Sequence, residues 1–256
     1  MIRLFTSYYH ERHPVRQSEI DECLRRNLEC SSIDKICILQ EPSELPFQDP
    51  RIQTRPITER PRYADFFLWI DEVCKPSDIS IIANSDLYFD QSLQMVKSLV
   101  RENTCLALSR WDVMKQGRVQ LFERGDSQDC WIVRGPVHGV SADFPIGVYD
   151  CDNRIAWEFE RAGYRVVNPA FSLRTYHLHR TRERSYDPTN PTDHGIRPPF
   201  RYVEPDNAGN LLSCASLWWQ YRPGYFPWRL TSRKLARTLP GRIWSRITRM
   251  ARLTCR

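Results

Sequence analysis

The stretch Ile79-Ser80-Ile81-Ile82-Ala83, followed at once by Asn84-Ser85-Asp86, constrains the fold more than any other feature of the chain. Four of these five residues are apolar, on both alternating positions, so the strand they predict is buried on both faces. Strands of that kind belong to parallel sheets covered by helices on either side. Two more apolar runs, Ile2 to Phe5 and Ile36 to Leu39, flank a segment from Arg16 to Cys30 in which Ile20, Leu24 and Leu28 recur every fourth residue. That spacing makes one stripe of an amphipathic helix. Strand, helix and strand in this order close as a right-handed crossover onto a parallel sheet. The expected class is therefore α/β, with Asn84-Ser85-Asp86 at the carboxyl end of a central strand, where open α/β sheets bind their ligands.

The rest of the chain continues the alternation. Ile52 to Thr54 predicts a strand, and Tyr63 to Val73 a helix that buries Phe66, Phe67, Trp69 and Ile70. A helix over Gln91 to Glu102 precedes strands at Cys105 to Trp111, Val119 to Phe122 and Trp131 to Arg134. Asp152 reads as the cap of a helix that runs through Ile155, Ala156, Phe159 and Ala162 to a stop at Gly163. Tyr164 to Asn168 predicts a return strand, and Tyr186 to Pro205, rich in Pro, Asp, Asn and Arg, an irregular loop. With 256 residues the expectation is one domain over 1–205 and a C-terminal extension over 206–256.

Composition excludes several classes. The nine cysteines are scattered with no C-x-x-C pair, so neither a disulfide framework nor a zinc site is indicated. No run of about eighteen apolar residues occurs, so no spanning helix is expected. Met1 to Ser7 reads directly as a strand rather than as a secretory leader, which predicts a cytoplasmic protein. Between Arg222 and Arg256 there are ten Lys and Arg and no acidic residue, which exceeds the +6 of the whole chain. The remainder is thus net acidic, and no nucleic-acid partner is expected. Within the basic tail, Ile243, Ile247 and Met250 share a helical face, with Arg242, Arg246, Arg249 and Arg252 elsewhere around it. A basic amphipathic helix of this kind predicts contact with an anionic membrane surface, peripheral to the inner face.

The run Ile79 to Asp90 resembles the strand and D-x-D element of GT-A glycosyltransferases, with Asn84 in place of the first Asp and Asp86 as the second. Asp150 to Val166 resembles the stretch of inverting family 2 enzymes in which an Asp at the start of a helix is the general base; here that residue is Asp152. Thr175-Tyr176-His177-Leu178-His179 follows where many GT-A enzymes place a metal-ligating His. The resemblance covers roughly Met1 to His179. It implies a single GT-A, Rossmann-like domain that transfers a sugar from a nucleotide-diphosphate donor to a hydroxyl of a glycan or lipid-linked acceptor, in polysaccharide or glycolipid synthesis.

The chemistry needs these residue types. A hard divalent cation, Mn2+ or Mg2+, neutralises a diphosphate and takes few protein oxygens, so Asp86 with one imidazole suffices. His177 and His179 would share a strand face, and His179 is slightly preferred as ligand. The base must take the acceptor's proton, and a carboxylate at a helix N-terminus is expected to be held ionised. Asp129, in the turn before Trp131, is the rival base. Trp131 offers a ring for stacking on sugar, and Asn84 and Ser85 offer polar contacts. The nucleotide is expected at Thr6, Ser7 and Tyr8 after the first strand and at Gln40 and Glu41 after the second. Arg60, Arg62 and Tyr63 are candidates for phosphate or base. Two other readings remain: a non-catalytic nucleotide-sugar-binding protein of the same fold, and a nucleotidyltransferase. The latter would want a Gly- and Lys-rich first turn, and Tyr9 to His13 contains neither residue.

Overall fold

The computed structural model describes residues 1–179 and 195–208. Its centre is a seven-stranded sheet in the order β10-β6-β9-β4-β1-β2-β3. The strands are β1 (Ile2–Tyr8), β2 (Lys35–Gln40), β3 (Ile52–Pro56), β4 (Ile79–Ala83), β6 (Thr104–Leu108), β9 (Cys130–Arg134) and β10 (Arg165–Val167). Every pairing is parallel except those of β9, which runs antiparallel to both β4 and β6. The mostly parallel α/β sheet expected from the sequence is thus present.

Strand alternation loads both faces with apolar side chains. On one face Phe5, Ile82 and Trp131 pack with Phe66, Phe67 and Ile70 of α2 (Tyr63–Val73) and Phe159 of α4 (Cys151–Arg161). On the other, Leu4, Ile38 and Ile81 pack with Ile20 and Leu24 of α1 (Pro14–Glu29) and Val96 of α3 (Val96–Leu99). Each such side chain contributes roughly 1.5–3 kcal/mol on burial, so the two layers hold the sheet rigid. All seven cysteines of the described part are free and buried.

A second, four-stranded sheet has the order β5-β11-β7-β8, from β5 (Leu87–Phe89), β7 (Trp111–Val113), β8 (Val119–Leu121) and β11 (Thr175–His177). The sequence announces β8, expected at Val119 to Phe122, but not the sheet, because strands this short carry too little pattern to say what they pair with. It lies on the chain just past the ends of β4 and β6 and so extends the edge where ligands are expected. Two boundaries also differ from expectation. Gln91 to Glu102 forms a 3-10 turn over Gln91–Met95 and the single turn of α3, because Asp90 caps Ser92 and the chain must then reach β6. Helix α4 starts two residues early, with Asp150 at its cap position in left-handed conformation (φ 62°), so Asp152 is not the cap. Gly163, at φ 88°, ends it as expected.

Residues 209–256 of the extension, where the sequence predicts a basic helix, and residues 186–194 of the loop lie outside the described residues. Among the described residues no helix is long and apolar enough to cross a membrane.

Candidate active site

The order of the main sheet reverses at β1: the chain winds outward to β2 and β3 and then returns to pair β4 on the other side of β1. At such a reversal the loops after neighbouring strands part and leave a crevice. Here the crevice is a cleft of about 1600 Å³.

Strand pairing in the second sheet assembles one end of it. β11 lies between β5 and β7, which places His177 opposite both Leu87 and Asp112. Asp86 immediately precedes β5, and its carbonyl accepts from the Leu178 N–H at 3.1 Å. As a result His177 bridges two carboxylates, with Nε2 3.1 Å from Asp86 Oδ2 and Nδ1 2.9 Å from Asp112 Oδ1. The His179 ring follows, its centroid 5.4 Å from that of His177. Arg16, in the first turn of α1, donates to Asp86 Oδ2 as well, and also to Glu19 and to the Leu178 carbonyl.

These charges act on one another. Burial opposes ionisation of Asp86, but His177 and Arg16 outweigh it and hold the carboxyl well below the usual range. Burial likewise disfavours a charged His177, yet Asp86 and Asp112 raise it to about 9.

Ligating atoms of Asp86, His177 and His179 all lie within 4.8 Å of one another. Asp86 Oδ1 is buried and, among the described residues, has no hydrogen-bond partner. A buried carboxylate oxygen left in this way is costly unless something positive reaches it. One carboxylate with two imidazoles is a donor set for a divalent first-row transition ion, and Asp112 behind His177 is the orienting acceptor that ligating histidines commonly have. The residues therefore fit a divalent ion. Ligation by His177 would have to displace its proton.

Further along the cleft stand two carboxylates that differ in company. Asp129 is tied down, accepting from Asn84 Nδ2 at 3.0 Å and from Arg110 at 2.9 Å. Among the described residues Asp152 has no cation partner, and it accepts from backbone N–H groups, those of Gln128 at 3.1 Å and Asn153 at 3.0 Å. Burial, with the charge of Asp129, pushes its carboxyl up to about 8. The helix end does not keep it ionised, contrary to the expectation from sequence, because lost solvation outweighs the N–H groups.

Of the other residues singled out in the sequence, Ser7, Glu41, Arg60, Asn84 and Ser85 line the cleft. Arg60 reaches the carbonyls of Ile146 and Gly147 at 3.3 and 3.2 Å. Gly147 sits at φ 71°, and a Cβ there would come to 3.4 Å from the Arg60 guanidinium, so glycine fits both the turn and the close approach.

Six candidates need correction. Tyr63 and Trp131 are core residues, 0 and 1% exposed, their rings in edge contact at 5.0 Å, so neither can stack on a ligand. Trp131 points into the α2 and α4 layer because its place in β9 gives it that face. Tyr8 turns to α1, where its hydroxyl donates to Asp21 at 2.8 Å. Thr6 is buried in the sheet. Gln40 donates to the Ser43 carbonyl and Arg62 pairs with Asp143 at 2.8 Å, both away from the cleft lining.

Sequence reasoning missed Arg16, Arg110 and Asp112. Arg110 and Asp112 follow β6 at its carboxyl end, the same kind of position that singled out Asp86, and that rule would have found them. Arg16 had no such sign, since a basic residue on a helix is ordinarily solvated. Tyr149 and Tyr202 were also missed. Both line the cleft and are 41 and 55% exposed. The backbone around Tyr202 is fixed by the Arg201 N–H on the Asn153 carbonyl and the Val203 N–H on the Gly125 carbonyl, at 2.9 and 2.7 Å.

No protein-family model matches the sequence, and no curated protein matches it. Among solved structures, the chain is similar to the 4-diphosphocytidyl-2C-methyl-D-erythritol synthase of Anaerococcus prevotii at 12% identity, with 65% of this chain and 86% of that one covered and a TM-score of 0.42. The 2-C-methyl-D-erythritol 4-phosphate cytidylyltransferase of Francisella tularensis is 10% identical over 66% of this chain and 90% of its own, with a TM-score of 0.41. GalNAc-T7, solved with UDP, GalNAc and Mn2+, is 9% identical over 89% of this chain and 50% of its own, with a TM-score of 0.45. At these identities and scores the similarities stand as observations only. The α/β architecture rests on the strand order, and the site on its side chains.

Proposed function

We propose that this protein is a glycosyltransferase that moves a sugar from a nucleotide-diphosphate donor to an acceptor hydroxyl, with a divalent metal and with inversion. One observation carries the reading. A single cleft at the switch point holds a metal-fitting trio, Asp86, His177 and His179, and a carboxylate, Asp152, that among the described residues has no cation partner.

Each residue then has a role. Asp86 and the two imidazoles hold the ion, which when bound supplies positive charge to a diphosphate leaving group. Ser7, Glu41 and Arg60 stand at the donor end, with Arg60 available to phosphate oxygens. Asp152 accepts the proton of the acceptor hydroxyl, and its raised carboxyl is matched to work near neutral or slightly alkaline pH. Asp129, neutralised by Arg110, orients Asn84 and tunes Asp152. Tyr149 and Tyr202 offer exposed rings beside Asp152, where the C–H face of a saccharide acceptor would stack. The basic tail would bring this cleft to an anionic membrane carrying a glycan or lipid-linked acceptor.

The test is a panel of nucleotide sugars with Mn2+, read first by thermal shift and then by transfer. A bound donor at a hundredfold excess over its Kd stabilises by about 2.7 kcal/mol. Asp152→Asn should keep that shift while losing a factor of roughly 10²–10⁴ in turnover. Near-normal turnover in this variant would remove Asp152 from its role, and binding without any turnover in the unaltered protein would favour a non-catalytic nucleotide-sugar binder. Release of pyrophosphate from a nucleoside triphosphate would favour a nucleotidyltransferase.

A further inference from the structure

Among the described residues Arg16 is the guanidinium bonded to Asp86, on the same oxygen that meets His177, and it stands in the wall of the cleft. It is buried, and its position is over-determined: one nitrogen binds Glu19 at 3.1 Å and the Leu178 carbonyl at 2.6 Å, the other Asp86. Its guanidinium therefore cannot swing into solvent without breaking three charge-assisted or carbonyl contacts. Asp86 Oδ2 is shared between Arg16 and His177, whereas Oδ1 is the oxygen without a partner.

Two consequences follow from elementary electrostatics. The carboxylate is already neutralised on one oxygen by a fixed cation, so it can offer a metal only the other. A divalent ion arriving alone must also sit beside a guanidinium in a poorly solvated cleft, where like charges repel far more strongly than in water. A diphosphate arriving with the ion reverses the balance, since its negative charge is attracted to both cations.

We infer that Arg16 is a resident counter-ion that makes metal binding conditional on the nucleoside diphosphate, so that the site takes up the metal–diphosphate complex in preference to the free ion. This rests on the reading of the cleft given above and assigns Arg16 as a positioning residue: it touches Asp86 and acts on the metal through it.

The test measures Mn2+ binding directly, by electron paramagnetic resonance of the free ion, in full-length protein with and without UDP or GDP. The unaltered protein should bind Mn2+ alone weakly and bind it at least about tenfold more tightly with one of the two nucleotides. Arg16→Gln should bind Mn2+ alone at least about tenfold more tightly than the unaltered protein and lose most of the coupling to nucleotide. Arg16→Lys keeps the charge and should keep the coupling. Circular dichroism melting reports whether each variant folds. Should Arg16→Gln not fold, the unaltered and Arg16→Lys proteins still decide the matter, because Mn2+ bound equally tightly with and without nucleotide overturns the inference. Unchanged free-ion affinity in a folded Arg16→Gln overturns it too, while leaving the glycosyltransferase reading in place. Absence of Mn2+ binding in the unaltered protein under every condition removes both.

Discussion

At the scale of single residues, the difference between Asp129 and Asp152 is one of company. Both are cleft carboxylates, but Arg110 and Asn84 engage the first, and only backbone N–H groups engage the second. A base has to be unprotonated to act. Because burial and Asp129 raise the Asp152 carboxyl to about 8, transfer is expected to be slow in acid, to rise with pH and to level off above about 8. Asp129→Asn removes a negative neighbour, which stabilises the ionised form of Asp152 and moves the rising limb to lower pH. A pH profile of kcat/KM for the two proteins checks this; a limb that stays put would mean that Asp152 is not the titrating group. Asp152 was legible in the sequence as a residue near a helix start. Its electrostatics were not, because the turn that supplies Gln128 and Asp129 is more than twenty residues away along the chain.

At the scale of elements, β9 shows how a pattern can be right and its use wrong. Cys130 to Arg134 is a strand, as expected, but it inserts antiparallel between β4 and β6, and this fixes which way each side chain points. Trp131 is thereby turned under α2 and away from the cleft. Trp131→Ala is expected to destabilise the fold by about 3–5 kcal/mol, the usual cost of emptying a buried aromatic site. The fraction that remains folded should bind donor normally. Denaturant melts and donor titration check this, and weakened donor binding without loss of stability would return Trp131 to the cleft. The second sheet makes the opposite point. Of its strands β8 was legible at Val119 to Phe122 but the pairing was not, yet β11 between β5 and β7 is what brings His177 to both Asp86 and Asp112.

At the scale of the whole molecule, the charge separates into a net acidic main part and a strongly basic tail. The tail is rich in Arg, with apolar residues at helical spacing, so its membrane contact is expected to depend on anionic lipid and to weaken with salt. Removing the residues after Gly224 should abolish sedimentation with phosphatidylserine vesicles and leave donor binding unchanged. Equal sedimentation with and without them would end the membrane proposal. By itself the sequence determined the α/β class, the strand that carries Asp86 and the end of the sheet where ligands gather. Those are local matters, set by the alternation and length of apolar runs and by the rule that parallel strands end at one edge. Only the tertiary structure decided that ligating atoms of both imidazoles come within 4.8 Å of those of Asp86, that Arg16 occupies one of its oxygens, that Asp152 lacks a cation partner among the described residues and that Tyr63 and Trp131 are core. Each of these depends on which strands pair and on how much water the pairing leaves beside a charge, and neither is written in any short stretch of chain.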